Sequence, residues 1–315
     1  MGAYRGAESL QAALIEAAAS KGWKMRSVPI SRLAFLRGDL DEMRSSALLD
    51  QSHYAYLMDC FETLAEQTLS GAASILILAC PSPALILSIC HSGRRRDVLL
   101  PPTFAERGFF EAGGLALLGP VLAAAGGSIA VAELPSKLLA AHTGLARIGR
   151  NRLAYVEGMG SCLRLAAFIA DRDCGDDGWG EVAMPDACAA CGACARACPS
   201  GAIGEPDRPL DYSRCLCHWN EEVEGAFPAW IQPAWHNALM GCLLCQRACP
   251  LNLPFLRTPA RGPSFNEEET RAILESVGGK PIPEGLRPVL EACGLWRHRS
   301  LLGRNLRALL DLSAE

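Results

Sequence analysis

Cys188-Ala-Ala-Cys191-Gly-Ala-Cys194-Ala-Arg-Ala-Cys198-Pro199 is the stretch from which the rest of the chain is best read. Three thiolates at three-residue intervals on a tight loop take three irons of a [4Fe–4S] cubane, and small residues between them let backbone amides approach the sulfides. The fourth Cys stands before a Pro that turns the chain away. It lies too far round to close the same cube and reaches a neighbouring cluster, which is the logic of the C-x₂-C-x₂-C-x₃-C-P spacing. A second run, Cys242-Leu-Leu-Cys245-Gln-Arg-Ala-Cys249-Pro250, repeats the pattern one ligand short at its front. The missing ligand lies upstream in Arg214-Cys215-Leu-Cys217-His218, where Cys215 and Cys217 compete for the role. With Cys215 chosen, Cys188, Cys191, Cys194 and Cys249 hold one cluster and Cys198, Cys215, Cys242 and Cys245 the other. Zinc also uses C-x₂-C pairs. It needs only four of these eight cysteines and gives no reason for the two Cys-Pro endings.

The chain has 15 cysteines, an odd count, and the crowding between Cys188 and Cys249 is unlike a secreted disulfide framework. The remaining Cys60, Cys80, Cys90, Cys162, Cys174 and Cys293 read as small buried hydrophobes. Residues 171–224 carry 12 acids against four Arg, negative charge that would lower the potential of an already anionic cubane. His218 and His236 flank the second motif in sequence.

Working outward, 315 residues, half of them hydrophobic, give enough chain for roughly two domains. A net charge of −4 excludes a general nucleic-acid coat. Upstream of the cysteines, apolar residues at helical spacing mark helices near residues 10–18, 33–40, 54–69 and 135–142. A strand is expected over 23–30, and apolar runs at 73–79, 84–89, 128–132 and 162–170 read as strands buried on both faces. The fold class is therefore α/β: a mostly parallel or mixed sheet domain over 1–170, a ferredoxin-like two-cluster module over 171–262, and a short helical tail over 263–315. In the tail, Ser264-Phe-Asn-Glu267 reads as a capping box before a helix over 270–277, with further helices over 286–293 and 301–310. Two uncharged stretches, 71–92 and 113–132, are long enough to cross a membrane, but Pro81 and Pro83 break the first and five Gly with Pro120 break the second. They read as pairs of short buried elements. No targeting signal is read at the start, so a cytoplasmic protein without membrane contact is expected.

Gly144, Gly149, Gly158 and Gly160 lie in the turns between the helix over 135–142 and the strand beginning near Cys162. Glycine there permits close approach of backbone to a ligand, so a crevice binding a planar cofactor or substrate is expected between the sheet domain and the clusters. The expected cofactor-binding set is Gly144, Gly149, Asn151, Gly158, Gly160 and Ser161.

The block Lys137-Leu-Leu-Ala-Ala-His-Thr-Gly144-Leu-Ala146-Arg-Ile-Gly149-Arg150-Asn151, followed by Gly158-Met-Gly160-Ser161, resembles the one that precedes the two-cluster module in epoxyqueuosine reductases. The resemblance covers residues 130–255 well and 8–90 in outline. It implies a cobalamin held base-off against the proximal cluster, electrons arriving from a donor such as ferredoxin or flavodoxin, and a small-molecule or modified-nucleoside substrate. It also favours Cys215 over Cys217 as the isolated ligand. This chain departs from the family pattern at Ala146 and Arg150, and where the family's proton-donating Asp is expected it reads Ala130-Val-Ala-Glu133-Leu-Pro135, which makes Glu133 the candidate acid. The 50-odd residues after Pro263 are fewer than the family's tRNA-gripping repeats need, so strong tRNA binding is not expected. Trp235-His236-Asn237 is shared with shorter relatives. The alternative function is an electron carrier or reductive activator that feeds another protein's corrinoid and has no small-molecule substrate.

Overall fold

The computed structural model describes residues 7–45, 54–55, 58, 69–104, 107–175, 178–204, 210–277 and 280–310. Most of the helix expected over 54–69, and Cys60 with it, lies outside the described residues. The first part of the chain runs α1 (Ala7–Ala19), β1 (Lys24–Pro29), α2 (Leu33–Ser45), β2 (Ser74–Pro81), β3 (Leu85–His91), β4 (Arg94–Leu100), α3 (Arg107–Ala124), β5 (Ile129–Ala132), α4 (Ser136–His142), β6 (Arg147–Ile148), β7 (Ala154–Tyr155) and β8 (Leu163–Ala170).

Four of the strands make the main sheet, in the order β1-β2-β8-β5. Every pairing in it is antiparallel, which corrects the expected mostly parallel or mixed sheet. The apolar runs reported burial on two faces, and both faces are indeed covered. Ile75, Ile77, Ala167 and Ile169 pack on one side with Leu36 and Leu40 of α2 and Leu139 of α4. Leu76, Leu78, Ala166 and Phe168 pack on the other with Leu14 of α1 and Leu118 and Leu122 of α3. Two helical layers make a strand apolar throughout whichever way its neighbour runs.

Helix α3 was hidden by its glycines and by Pro120, which sits inside it. Gly113 gives room to Trp23, whose ring would stand 2.8 Å from a Cβ there, and a Cβ at Gly114 would run into the Phe168 ring. The glycines lower helix propensity but let α3 lie close to the sheet. Of the two long uncharged stretches, 71–92 resolves into β2 and β3, as expected. The other, 113–132, is the second half of α3 followed by β5. Among the described residues no helix is long and apolar enough to cross a membrane.

The cysteine-rich stretch holds only short helices: α5 (Ala193–Ala197), α6 (Leu216–Glu221), α7 (Leu244–Arg247) and α8 (Leu253–Leu256). It is followed by β9 (Ala260–Phe265), α9 (Glu267–Glu275), α10 (Arg287–Ala292) and α11 (Arg299–Leu309). β9 joins a second sheet of order β4-β3-β9, parallel to β3, while β3 and β4 pair antiparallel. The run at 84–89 thus belongs to a different sheet from the other apolar strands. Its hairpin turns through Ser92 and Gly93, both at positive φ (51° and 70°), the conformation a two-residue type I′ turn requires. Glu267 accepts from both their amides, at 2.7 and 3.2 Å.

Leu87, Ile89, Val98 and Phe104 share one core with Phe265, Ile273, Leu290, Leu302 and Leu306, so the C-terminal helices close over strands from much earlier in the chain. The capping box is real but sits two residues beyond its expected place, on Asn266 and Glu269 rather than Ser264 and Glu267. Ser264 is still in β9, opposite Ser88, and cannot begin a helix.

Candidate cysteine site and the cavity beside it

The turns around the cysteines aim backbone amides at sulfur. Cys215 precedes α6, whose first amides have no partner inside the helix. Those of Cys217 and His218 reach its Sγ and oppose the upward push of burial, which leaves the thiol at about 11. Cys215 also feels Cys242 and Cys198. Burial raises the thiol of Cys242, while Asn237 Nδ2, at 3.3 Å, and the Leu244 amide oppose that rise. Burial likewise raises Cys245, with Cys242 and Cys215 among its charged neighbours. Cys194, in α5, is raised by burial and by Cys188 and Cys249, and the amide of Ala195 opposes this. Cys191 lies on the same loop, its amide bonded to the Cys188 carbonyl. Cys194 thus has Cys188 and Cys249 as neighbours and Cys215 has Cys198 and Cys242, while Cys245 feels Cys242, Cys215 and Cys194 alike. Cys217 turns aside to donate to Glu221 Oε1 at 2.9 Å.

The glycine block holds this module against the sheet domain through two buried polar chains. In the first, Asn151 Nδ2 donates to Tyr155 Oη at 3.0 Å and the Tyr155 hydroxyl donates to Cys249 Sγ at 3.3 Å. Burial and that bond hold the phenol well above its usual range. In the second, Asn252 accepts from the Ser161 amide at 2.7 Å, donates to Ser161 Oγ at 2.8 Å, and donates to the Gln246 carbonyl at 3.2 Å. Two glycines make the fit possible. A Cβ at Gly149 would come within 2.5 Å of the Tyr155 ring, and one at Gly160, where φ is +58°, would run into Asn252.

A cavity of about 880 Å³ opens in front of these chains, a volume in the range of small-molecule and cofactor sites. Its walls come from α1 and β1, from the turns at 144–147 and 155–160, and from the cysteine module at 185–187 with Leu251 and Phe255. It lies between the sheet domain and the cysteines. Tyr155, which bonds Cys249, is part of its wall.

Of the expected cofactor-binding residues, Gly144, Gly158 and Gly160 line the cavity. Gly149, Asn151 and Ser161 stand behind it, in the contacts that secure the module. Glu133 is exposed and is not among the lining residues. Tyr155, Asn252, Gln246 and the role of Asn237 are not marked by any motif in the sequence. The signals for two of them were weak: Asn252 is a lone amide between leucines, and Asn237 sat in the noted Trp-His-Asn triplet.

Residues 187–252 match a family described as the 4Fe-4S double cluster binding domain, which supports two [4Fe–4S] clusters over zinc. The chain is similar to the epoxyqueuosine reductase of Escherichia coli, 33% identical over 121 residues, 38% of this chain and 31% of that protein. It is 33% identical to that of Pseudomonas aeruginosa over 131 residues, 42% of this chain and 35% of the relative. For Cellulophaga algicola the identity is 32% over 135 residues, 43% of this chain and 42% of the relative. The matched stretches thus span less than half of these curated relatives.

Among solved structures, an epoxyqueuosine reductase with an epoxyqueuosine-modified tRNA stem loop aligns at a TM-score of 0.65 and 20% identity, over 97% of this chain and 82% of that one. The Bacillus subtilis enzyme aligns at 0.64 and 22%, with the same coverage. These likenesses show the fold, and over about two fifths of its length the chain is similar in sequence to epoxyqueuosine reductases. The expectation that tRNA is not strongly bound conflicts with the first neighbour. That expectation counted the residues after Pro263 as too few, whereas 97% of this chain lies within the fold of a protein solved with a tRNA stem loop.

Proposed function

We propose that this chain is a cytoplasmic iron–sulfur reductase acting on a modified nucleoside in RNA, with a corrinoid in the cavity and a ferredoxin or flavodoxin as electron donor. Cys188, Cys191, Cys194 and Cys249 hold the proximal cluster, and Cys198, Cys215, Cys242 and Cys245 the distal one. The thiol chemistry supports this reading: backbone amides point at the sulfurs of Cys194 and Cys215, and the Asn237 amide at that of Cys242. The observation that carries the reading is Tyr155, which lines the cavity and donates its hydroxyl to Cys249 Sγ at 3.3 Å, so the cavity wall touches a ligand of the proximal cluster.

When bound, the two clusters supply single electrons at low potential and the corrinoid a cobalt centre able to take them up. The chain's own residues do the rest. Tyr155 and Asn151 fix the sulfur of Cys249 and offer it a hydrogen bond that raises cluster potential. Ser161, Gln246 and Asn252 hold the cluster module at a constant distance from the cavity. Gly144 and Gly158, with no Cβ, leave the wall open to a flat ligand. Residues 1–170 supply most of the cavity, 171–262 the clusters, and 263–315 the helices that brace them.

Titrating cobalamin anaerobically into reconstituted protein tests the proposal. Co-elution with a change in the corrinoid spectrum is expected, and no change would overturn the corrinoid assignment. One observation favours the electron-carrier reading: the acids lining the cavity, Glu157 and Asp186, both sit opposite basic side chains, and Glu133 lies elsewhere.

A further inference from the structure

We infer that Arg26, at the cavity wall, is a binding residue for a phosphodiester. Five ionisable residues that are charged at neutral pH line the cavity: Lys24, Arg26, Arg147, Glu157 and Asp186. Four are paired, Lys24 Nζ with Glu157 Oε2 at 3.6 Å and Arg147 Nη1 with Asp186 Oδ1 at 2.8 Å. The Arg26 side chain has no hydrogen-bond or ion-pair partner among the described residues, so the wall carries one uncompensated positive charge. Its backbone is fixed: Arg26 sits mid-strand in β1, opposite Ile77, in a ladder that pairs all six residues of the strand. Two residues along a strand from Lys24, it is on the same face.

A guanidinium presents a rigid fork of donors that suits the paired oxygens of a phosphate. A single positive charge matches a phosphodiester, which carries one negative charge, better than a monoester approaching two. The rim pairs on either side are exposed at Glu157 and Asp186 (96% and 94%) and contribute little, so they can open to admit a ligand.

This inference rests on the proposed use of the cavity, where both candidate occupants carry phosphodiesters: the nucleotide loop of a corrinoid and the backbone of an RNA substrate. Equilibrium titrations of reconstituted wild-type, Arg26→Ala and Arg26→Lys protein with cobalamin, with cobinamide (the same ring without the loop phosphate) and with a short RNA hairpin separate the sources. If the cofactor's phosphate is held, Arg26→Ala loses about tenfold or more in cobalamin affinity and nothing in cobinamide affinity, as loss of a charged hydrogen bond predicts. If the substrate's phosphate is held, both corrinoids bind as before and the hairpin weakens by a similar factor. In either case Arg26→Lys recovers part of the loss. Equal weakening of cobalamin and cobinamide, or no change with any probe, would overturn the inference. Should wild-type protein bind neither corrinoid, the corrinoid assignment falls and the hairpin alone decides Arg26; if it binds none of the three, both fall. Iron content and far-UV circular dichroism unchanged by the substitutions confirm that an exposed strand position has been altered without unfolding.

Discussion

Gly160→Ala tests whether the cysteine module is held to the sheet domain by close backbone approach. At φ +58° an L-residue is left-handed, which costs about 1–2 kcal/mol. The new Cβ would also run into Asn252 Oδ1 and come within 2.8 Å of the Leu251 carbonyl and 3.1 Å of the Phe255 ring. Neither the carbonyl nor Asn252, which holds Ser161 and Gln246, can move freely, so overpacking adds about 1–3 kcal/mol. Gly158→Ala is the control: φ is +77°, but a Cβ there meets nothing within 4 Å, so only the first cost applies. Thermal unfolding of both variants, followed anaerobically by circular dichroism, should show Gly160→Ala melting several degrees below Gly158→Ala. The Gly160 variant should also lose iron faster, because Asn252 is three residues from Cys249. Equal melting points for the two variants would refute the idea that this contact joins the two parts.

Tyr155→Phe removes the hydrogen bond to Cys249 Sγ and leaves the ring in place. A redox titration followed by electron paramagnetic resonance should show one cluster shifted to lower potential and the other unmoved. Cys215→Ala should cost one cluster, read as about half the iron, whereas Cys217→Ala, whose thiol faces Glu221, should retain both. Burial raises the thiols of Cys293 to about 11 and Cys80 to about 12, from an ordinary 9.0. The neutral thiol is the form the fold favours, so this stability is fully present below pH 9 and is lost as pH rises towards 11–12. The urea midpoint should fall over that window, and Cys293→Ala should flatten part of the fall.

The legible parts of this fold were those where burial alone decides the residue types. The runs at 73–79 and 162–170 are apolar because two helical layers cover them, and they were read correctly as strands. Strand direction leaves no such mark. β4 was missed because Arg94, Arg95 and Arg96 are exposed and break any apolar alternation. Helix α3 was missed because the glycines that let it touch Trp23 and Phe168 also look like turns.

In the site, the cysteine spacings are local chemistry, and the match of residues 187–252 to a 4Fe-4S double cluster binding domain supports the two clusters they imply. The glycine block pointed to a crevice, and three of its residues do line a cavity. The split between those three and Gly149, Asn151 and Ser161 depends on contacts about 90 residues apart in sequence, such as Ser161 with Asn252, and no local pattern announces them.

The measurement closest to the central claim is the iron and acid-labile sulfide content of anaerobically reconstituted protein. Two clusters on the eight cysteines predict about eight iron and eight sulfide per chain. A stable value near four of each, or stoichiometric zinc in protein made with ample iron, would contradict the account.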